Sequence, residues 1–285
     1  MRISFNLGLF KEQLREDLSV FEFSFLKRVF SHSAFYFGAF GLLVSSLTAL
    51  AESSWLSGIA GNGYFVGVGG ALALFTGLAL MFYYLPRYHN NPLEVTPKFV
   101  KRAYFCLICT YGIVFCVLFQ GLKLISLLGK GSSTWMSSSL MLGIVIFGSS
   151  LVAYAIPVLI GLGMRKMSSV FKLSRFLRAC YVTYFVLALV GFIVALSMSN
   201  GGYHLYNALM TLLFGTIIFI SPILSVYRMK TVIRYIDPKD MVAIKRWELF
   251  FVFEALAQLM QMAVFLTRLF ASFCMGCIGG GAEKR

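Results

Sequence analysis

Acids are what this sequence has least of. Only 11 Asp and Glu stand against 25 Lys and Arg, and charged residues of either sign make up 13% of the chain. Nine of the 11 acids lie in the N-terminal segment, the loops or the tail, which leaves Glu248 at the edge of an apolar run and Glu254 inside it. An enzyme that needs two membrane-embedded carboxylates is therefore disfavoured. Histidine is sparser still: His32, His89 and His204 sit at span ends or in loops, with no spacing that makes two of them joint metal ligands. No Ser/His/Asp grouping, zinc-protease motif or nucleotide fingerprint interrupts the apolar runs. Gly-Val-Gly-Gly at 67–70 lacks the following Gly-Lys-Ser/Thr of a phosphate loop and lies in an apolar stretch. The expectation is a non-enzyme without cofactor or resident metal.

What is abundant is hydrocarbon. Hydrophobic residues are 59% of the 285, and mean hydropathy is +0.82. That is the composition of a polytopic membrane protein. Seven runs are near or above the ~20 residues that cross a bilayer as helix. They fall at about Phe30–Leu50, Tyr64–Leu85, Ala103–Leu128, Met136–Gly163, Ala179–Met198, Tyr206–Tyr227 and Trp247–Phe270. The predicted fold is all-α, a seven-transmembrane-helix bundle spanning residues 30–270.

Residues 1–29 mix charge with Leu14, Leu18, Phe21, Phe25 and Leu26, the pattern of an interfacial amphipathic helix rather than a cleavable signal. Gly63, Gly67, Gly70 and Gly77 in the second run allow close helix approach. Pro86, Pro92 and Pro97 mark the following loop, Pro157 is expected to kink the fourth span, and Pro222 to break the sixth near its end. Asn200-Gly201-Gly202 reads as a tight turn. Residues 271–285 form a short tail holding Cys274-x-x-Cys277, placed just past the last helix without a partner pair or redox setting. Cys106, Cys109, Cys116 and Cys180 lie in apolar runs and read as small hydrophobes.

Basic residues set the orientation. Five lie before the first span (Arg2, Lys11, Arg15, Lys27, Arg28) and four between the second and third (Arg87, Lys98, Lys101, Arg102). Five more lie between the fourth and fifth (Arg165, Lys166, Lys172, Arg175, Arg178), and six between the sixth and seventh (Arg228, Lys230, Arg234, Lys239, Lys245, Arg246). The other side has Lys123, Lys130, Arg268, Lys284 and Arg285. The N-terminus is predicted cytoplasmic. The same partition accounts for the net charge of +14 through anionic headgroups, with no need of nucleic acid.

The last run carries the one acid placed well inside the hydrocarbon. Glu254, Gln258, Gln261, Phe265 and Arg268 share one helical face. An ionised Glu near the bilayer centre costs roughly 2.5–3.5 kcal/mol or more, so the stripe should turn inward and make this helix the centre of the bundle. Two readings of Glu254 stand side by side: an ion or proton site, or a structural pair with Arg228 or another basic residue at the cytoplasmic helix ends.

In order and spacing the chain resembles the Bax inhibitor-1 family, with its bacterial and lifeguard branches. Phe25-Leu26-Lys27-Arg28-Val29-Phe30 resembles the family's entry into its first span, and Met164-Arg165-Lys166-Met167-Ser168-Ser169 its Thr-Lys-Arg-Asp-Leu-Ser run. Gln258 to Phe270, closing on Leu266-Thr267-Arg268-Leu269-Phe270, resembles its Asp-Phe-Ile-Asn … Leu-Leu-Arg-Leu-Phe ending. The resemblance covers about residues 25–270. It implies an Asp near the end of span six and another in span seven, sharing a proton that gates a calcium leak. Here those positions fall on Tyr227, or Arg228 after a one-residue shift, and on Gln258, with Gln261 at the following Asn. Gln does not titrate and Tyr is neutral at pH 7, so the carboxylate pair is degenerate and its pH gate is not carried over.

The ion or proton path candidates are accordingly Glu254, Gln258, Gln261, Tyr227 and Arg228. The resemblance implies a role in membrane or stress homeostasis by passive leak of calcium or protons, in a bacterial inner membrane or, in a eukaryote, the endoplasmic reticulum. A non-catalytic partner of other membrane proteins, such as a membrane-protease modulator, is the alternative. A secondary transporter is a third reading, and no convincing internal repeat supports it. The topology is testable: cysteines placed near Ser57 and Asn200 should react with an impermeant thiol reagent from outside. A cysteine near Ser169 should not, and labelling there in intact cells would overturn the map.

Overall fold

The computed structural model describes the backbone of residues 19–51, 71–73, 75–84, 86–87, 96–128, 139–164, 166–194 and 200–279. Six long helices account for most of these: α1 (Val20–Ala51), α2 (Pro97–Leu128), α3 (Ser139–Gly163), α4 (Met167–Val194), α5 (Asn200–Arg234) and α6 (Met241–Gly279). Each is long and apolar enough to cross a membrane. The described residues contain no β-strand. The first part of the expected second span, residues 64–70, with positions 74 and 85 and residues 1–18 of the N-terminal segment, lies outside the described residues. What is described there is a shorter apolar helix, Ala71–Tyr84, ending in the π-helical turn Leu80–Tyr84.

The helices are longer than the apolar runs that predict them. The 39 residues of α6 span ~58 Å at 1.5 Å per residue, nearly twice the ~30 Å hydrocarbon thickness. Much of the basic sequence expected in loops is therefore helix extending beyond the apolar core. Lys172, Arg175 and Arg178 lie on α4, which starts at Met167 rather than Ala179. Arg228, Lys230 and Arg234 lie on α5, and Lys245 and Arg246 on α6.

Local capping explains the true boundaries. α1 begins at Val20, ten residues before the expected entry, because Ser19 and Glu22 form a capping box: the Glu22 amide donates to Ser19 Oγ (3.2 Å) and the Ser19 amide to Glu22 Oε2 (2.9 Å). Pro97 opens α2 instead of ending a loop, with Thr96 Oγ1 accepting from the Phe99 amide (3.4 Å). Asp237 Oδ1 accepts from the Lys239 amide, and Asp240 Oδ1 accepts from the amides of Val242 and Ala243 at 3.1 and 3.0 Å, so the α5–α6 connection closes within a few residues.

Three more expectations are corrected. Asn200-Gly201-Gly202 is the first turn of α5 rather than a tight turn. α5 passes through Pro222 and continues to Arg234 instead of breaking there; α3 holds Pro157, where a kink and not a break is expected, inside one helix. Proline removes one i→i−4 hydrogen bond, and a long helix with intact bonds on both sides absorbs that loss in hydrocarbon, where no alternative partner competes. Cys274 and Cys277 fall on the last turns of α6 instead of in a tail beyond it, since nothing between Phe270 and Gly279 breaks the helix.

The chain divides into two compact units: Met1–Ser31 with Ala153–Ile244, and His32–Val152 with Lys245–Arg285. In the first, α4 and α5 pair antiparallel. Tyr184 stacks on Phe214 (5.8 Å) and the Tyr206 hydroxyl donates to Leu187 O (2.9 Å). The C-terminal part of α3 meets α5 at Gly161, where an added β-carbon would lie 2.9 Å from Ile223 O and 2.9 Å from Val226 Cβ. α4 leaves Phe185, Val186, Leu189 and Val190 exposed, apolar surface of the kind that faces lipid.

The second unit is built on aromatic rings. Phe147 of α3 meets Phe37 (5.1 Å) and Phe40 (6.0 Å) of α1, and Phe115 (5.0 Å) and Phe119 (6.2 Å) of α2, at tilted to edge-on angles that suit ring quadrupoles. Gly41 makes room for it: a β-carbon there would lie 2.6 Å from Phe147 Cγ. Along α6, Phe250, Phe251 and Phe253 are fully enclosed, and 67% of its apolar window is buried, against 6–39% for the other five.

Close approach at Gly161 has a stability consequence. Ala would gain ~1 kcal/mol of helix propensity but meet a backbone carbonyl that cannot move aside, at an overpacking cost of ~1–3 kcal/mol. Gly161→Ala should therefore lower the melting temperature in detergent. Gly148→Ala, where nothing lies within 4 Å, should leave it unchanged or raise it.

Candidate functional site

α6 carries the polar stripe. Gln258 is buried at 7% exposure, Glu254 is half-buried with its Oε2 atom enclosed, and Gln261 is half-buried. Gln261 hydrogen-bonds the Tyr111 phenol of α2, which ties the stripe to a neighbouring helix. One turn further, Phe265 is buried and Arg268 exposed, so the face runs from an enclosed acid to an open cation. Thr267 beside it satisfies its hydroxyl on its own helix, donating to Ala263 O (2.7 Å).

Within the second unit, α1 and α2 grip the turns of α6 around the stripe. Tyr104 of α2 packs edge-on against Phe253 (5.1 Å) and donates to Leu249 O (3.2 Å). Ser33 of α1 lies 3.5 Å from Val252 O. These contacts fix the rotation of α6 against α1 and α2. Glu254 and Gln258 are thereby held on side chains of a rigid helix rather than on a loop, as a site of defined geometry requires.

No family model matches this chain, and no curated protein or solved structure matches it significantly. The site must be read from its own residues. Tyr227 and Arg228 belong to the first unit, and Glu254, Gln258 and Gln261 to the second. Tyr227 is half-buried, and its hydroxyl donates to Met167 Sδ across the α3–α4 junction (3.2 Å). Arg228 is half-buried on α5. Among the described residues no cluster of three His, Cys, Asp or Glu could hold a metal ion.

Sequence reasoning missed three polar contacts. Lys230 is 95% buried, and its ammonium donates to Leu162 O (2.8 Å) and Met164 O (3.4 Å) at the C-terminal end of α3. A cation at a helix C-terminus satisfies orphan carbonyls and complements the dipole. The apolar pattern places Lys230 in a loop, and period alone does not distinguish a lysine at a solvated helix end from one turned inward. His32 Nδ1 lies 3.0 Å from Glu248 Oε1, linking α1 to α6. Arg234 Nε lies 3.5 Å from Glu22 Oε1, and the Ser19-x-x-Glu22 spacing was the readable signal for that acid's place at a helix start.

Lys230 is the contact whose removal costs most. Lys230→Met keeps the apolar stem but leaves the α3 carbonyls without the ammonium, at ~1–3 kcal/mol. The melting temperature in detergent should fall by more than for Arg234→Gln, which removes a half-exposed ion pair of ~0–1 kcal/mol.

Proposed function

We propose that this chain is a multi-pass membrane protein of the Bax inhibitor-1 type that provides a passive path for calcium or protons along α6, without the two-aspartate gate. The observation that carries this reading is Glu254: a carboxylate with an enclosed oxygen, one turn from buried Gln258, on the most buried of the long helices. An ionisable group kept inside an apolar bundle is costly, and function is the usual reason for retaining one. The proposal includes seven spans with α6 at their centre, the Tyr64–Leu85 run supplying the seventh. It also includes a cytoplasmic N-terminus, from the basic-residue partition, and, from the resemblance, a bacterial inner membrane or, in a eukaryote, the endoplasmic reticulum. Gln258 and Gln261 offer amide oxygens and nitrogens to a passing ion or to water, and neither titrates.

Flux in proteoliposomes tests this. Wild-type protein should release entrapped calcium, or dissipate a proton gradient, faster than empty vesicles. Glu254→Gln, which keeps shape but cannot ionise, should return the rate to the empty-vesicle level while melting close to wild type. If wild type itself shows no flux above empty vesicles for either ion, the leak reading is wrong, and a non-catalytic membrane partner takes its place. If Glu254→Gln melts far below wild type, the carboxylate is a structural group.

A further inference from the structure

A groove of about 630 Å³ lies within the second unit between α1, α2 and α6, inside the ~300–1,000 Å³ range typical of ligand sites. α6 forms one wall through Leu249, Leu256 and Met260, and α1 another through Tyr36, Phe40 and Leu43. α2 completes it with Tyr104, Phe105 and Ile108, and with Lys101, the one charged lining residue among the described residues. The three helices run in the same sense along it, since α2 meets α6 first through Tyr104 at Leu249 and later through Tyr111 at Gln261, and α1 meets it first through His32 at Glu248 and then through Ser33 at Val252. From Leu249 to Met260 the groove extends ~16 Å at 1.5 Å per residue, the depth of one leaflet of a ~30 Å hydrocarbon core.

Charge is confined to the shallow end. Lys101 is exposed, Lys98 lies one turn before it on α2, and Lys245 lies one turn before Leu249 on α6. The acid adjoining this end, Glu248, is engaged by His32 at 3.0 Å. Phe105 and Leu43 are 66% and 55% exposed, so the groove is open along its side rather than sealed in the interior. A membrane-embedded groove with an apolar length of one leaflet and a cationic mouth is complementary to one class of molecule.

We propose that this groove is a binding site for a single anionic phospholipid, with an acyl chain lying along Leu256, Met260 and Ile108 and the headgroup phosphate on Lys101. The site is independent of the leak path assigned to Glu254, which does not line it. An anionic headgroup distinguishes it from ordinary annular lipid, because a zwitterionic lipid fits the apolar length equally well but gains less from the cationic mouth.

Native mass spectrometry of the full-length protein, delipidated in mild detergent and titrated with phosphatidylglycerol or phosphatidylcholine, tests this. Wild type should retain one phosphatidylglycerol in preference to phosphatidylcholine. Lys101→Gln should weaken phosphatidylglycerol retention about fivefold and leave phosphatidylcholine unchanged. Ala39→Phe, which fills the groove from α1, should weaken both. Equal retention of the two lipids by wild type, or no bound lipid at all, overturns the proposal whatever the variants do. Undiminished phosphatidylglycerol binding in Lys101→Gln moves the headgroup off this mouth and overturns it as well.

Discussion

The hydrocarbon has no water with which to exchange hydrogen bonds, and the rest of this structure follows from that constraint. Every backbone group within the bilayer must be paired inside the chain, which selects helices and keeps α3 and α5 continuous through their prolines. Side chains obey the same rule. Ser45, Thr48, Ser150 and Thr267 turn their hydroxyls onto carbonyls four residues back on their own helices, at 2.6–2.8 Å. Lys230 reaches the last carbonyls of α3, and Tyr104 spends its hydroxyl on Leu249 O.

Shape does the work between helices that the hydrophobic effect does in water. Lipid tails are as apolar as leucine, so association rests on contact area and fit. Phe147 seated over Gly41 and Gly161 set against the α5 backbone are two solutions of that problem, one by a large ring in a gap and one by a missing side chain. α4 packs on α5 but leaves most of its surface open, and 6% of its apolar window is buried. α6 sits at the other extreme, which is why a charge on α6 carries more meaning than the several on α4.

The two sites drawn from the structure differ in kind. Glu254 is an ionisable group on the most buried of the long helices, so its interest lies in the charge it can carry or pass on. The groove on α1, α2 and α6 is an apolar space with charge only at its mouth, so its interest lies in what it holds. Both depend on α6 keeping its rotation, which the Tyr104, Ser33 and Gln261 contacts maintain.

Composition and hydropathy determined that this chain is helical and membrane-embedded, because a run of ~20 apolar residues has no other stable arrangement in lipid. Period along the last run was enough to put Glu254, Gln258 and Gln261 on one face. Helix ends did not follow from hydropathy: the caps at Ser19-x-x-Glu22 and Thr96-Pro97 open α1 and α2 where the apolar pattern put a charged segment and a loop. Elsewhere hydropathy marks where the apolar residues stop, while the helix stops where its hydrogen bonds do, and charged residues such as Lys172, Arg228 and Lys245 continue a helix without difficulty. Only the tertiary structure decided that Lys230 is buried at the end of α3 while Lys101 stands at the mouth of a groove. Both are lysines near the basic ends of apolar helices, and what separates them is the carbonyls and rings that other helices bring beside them.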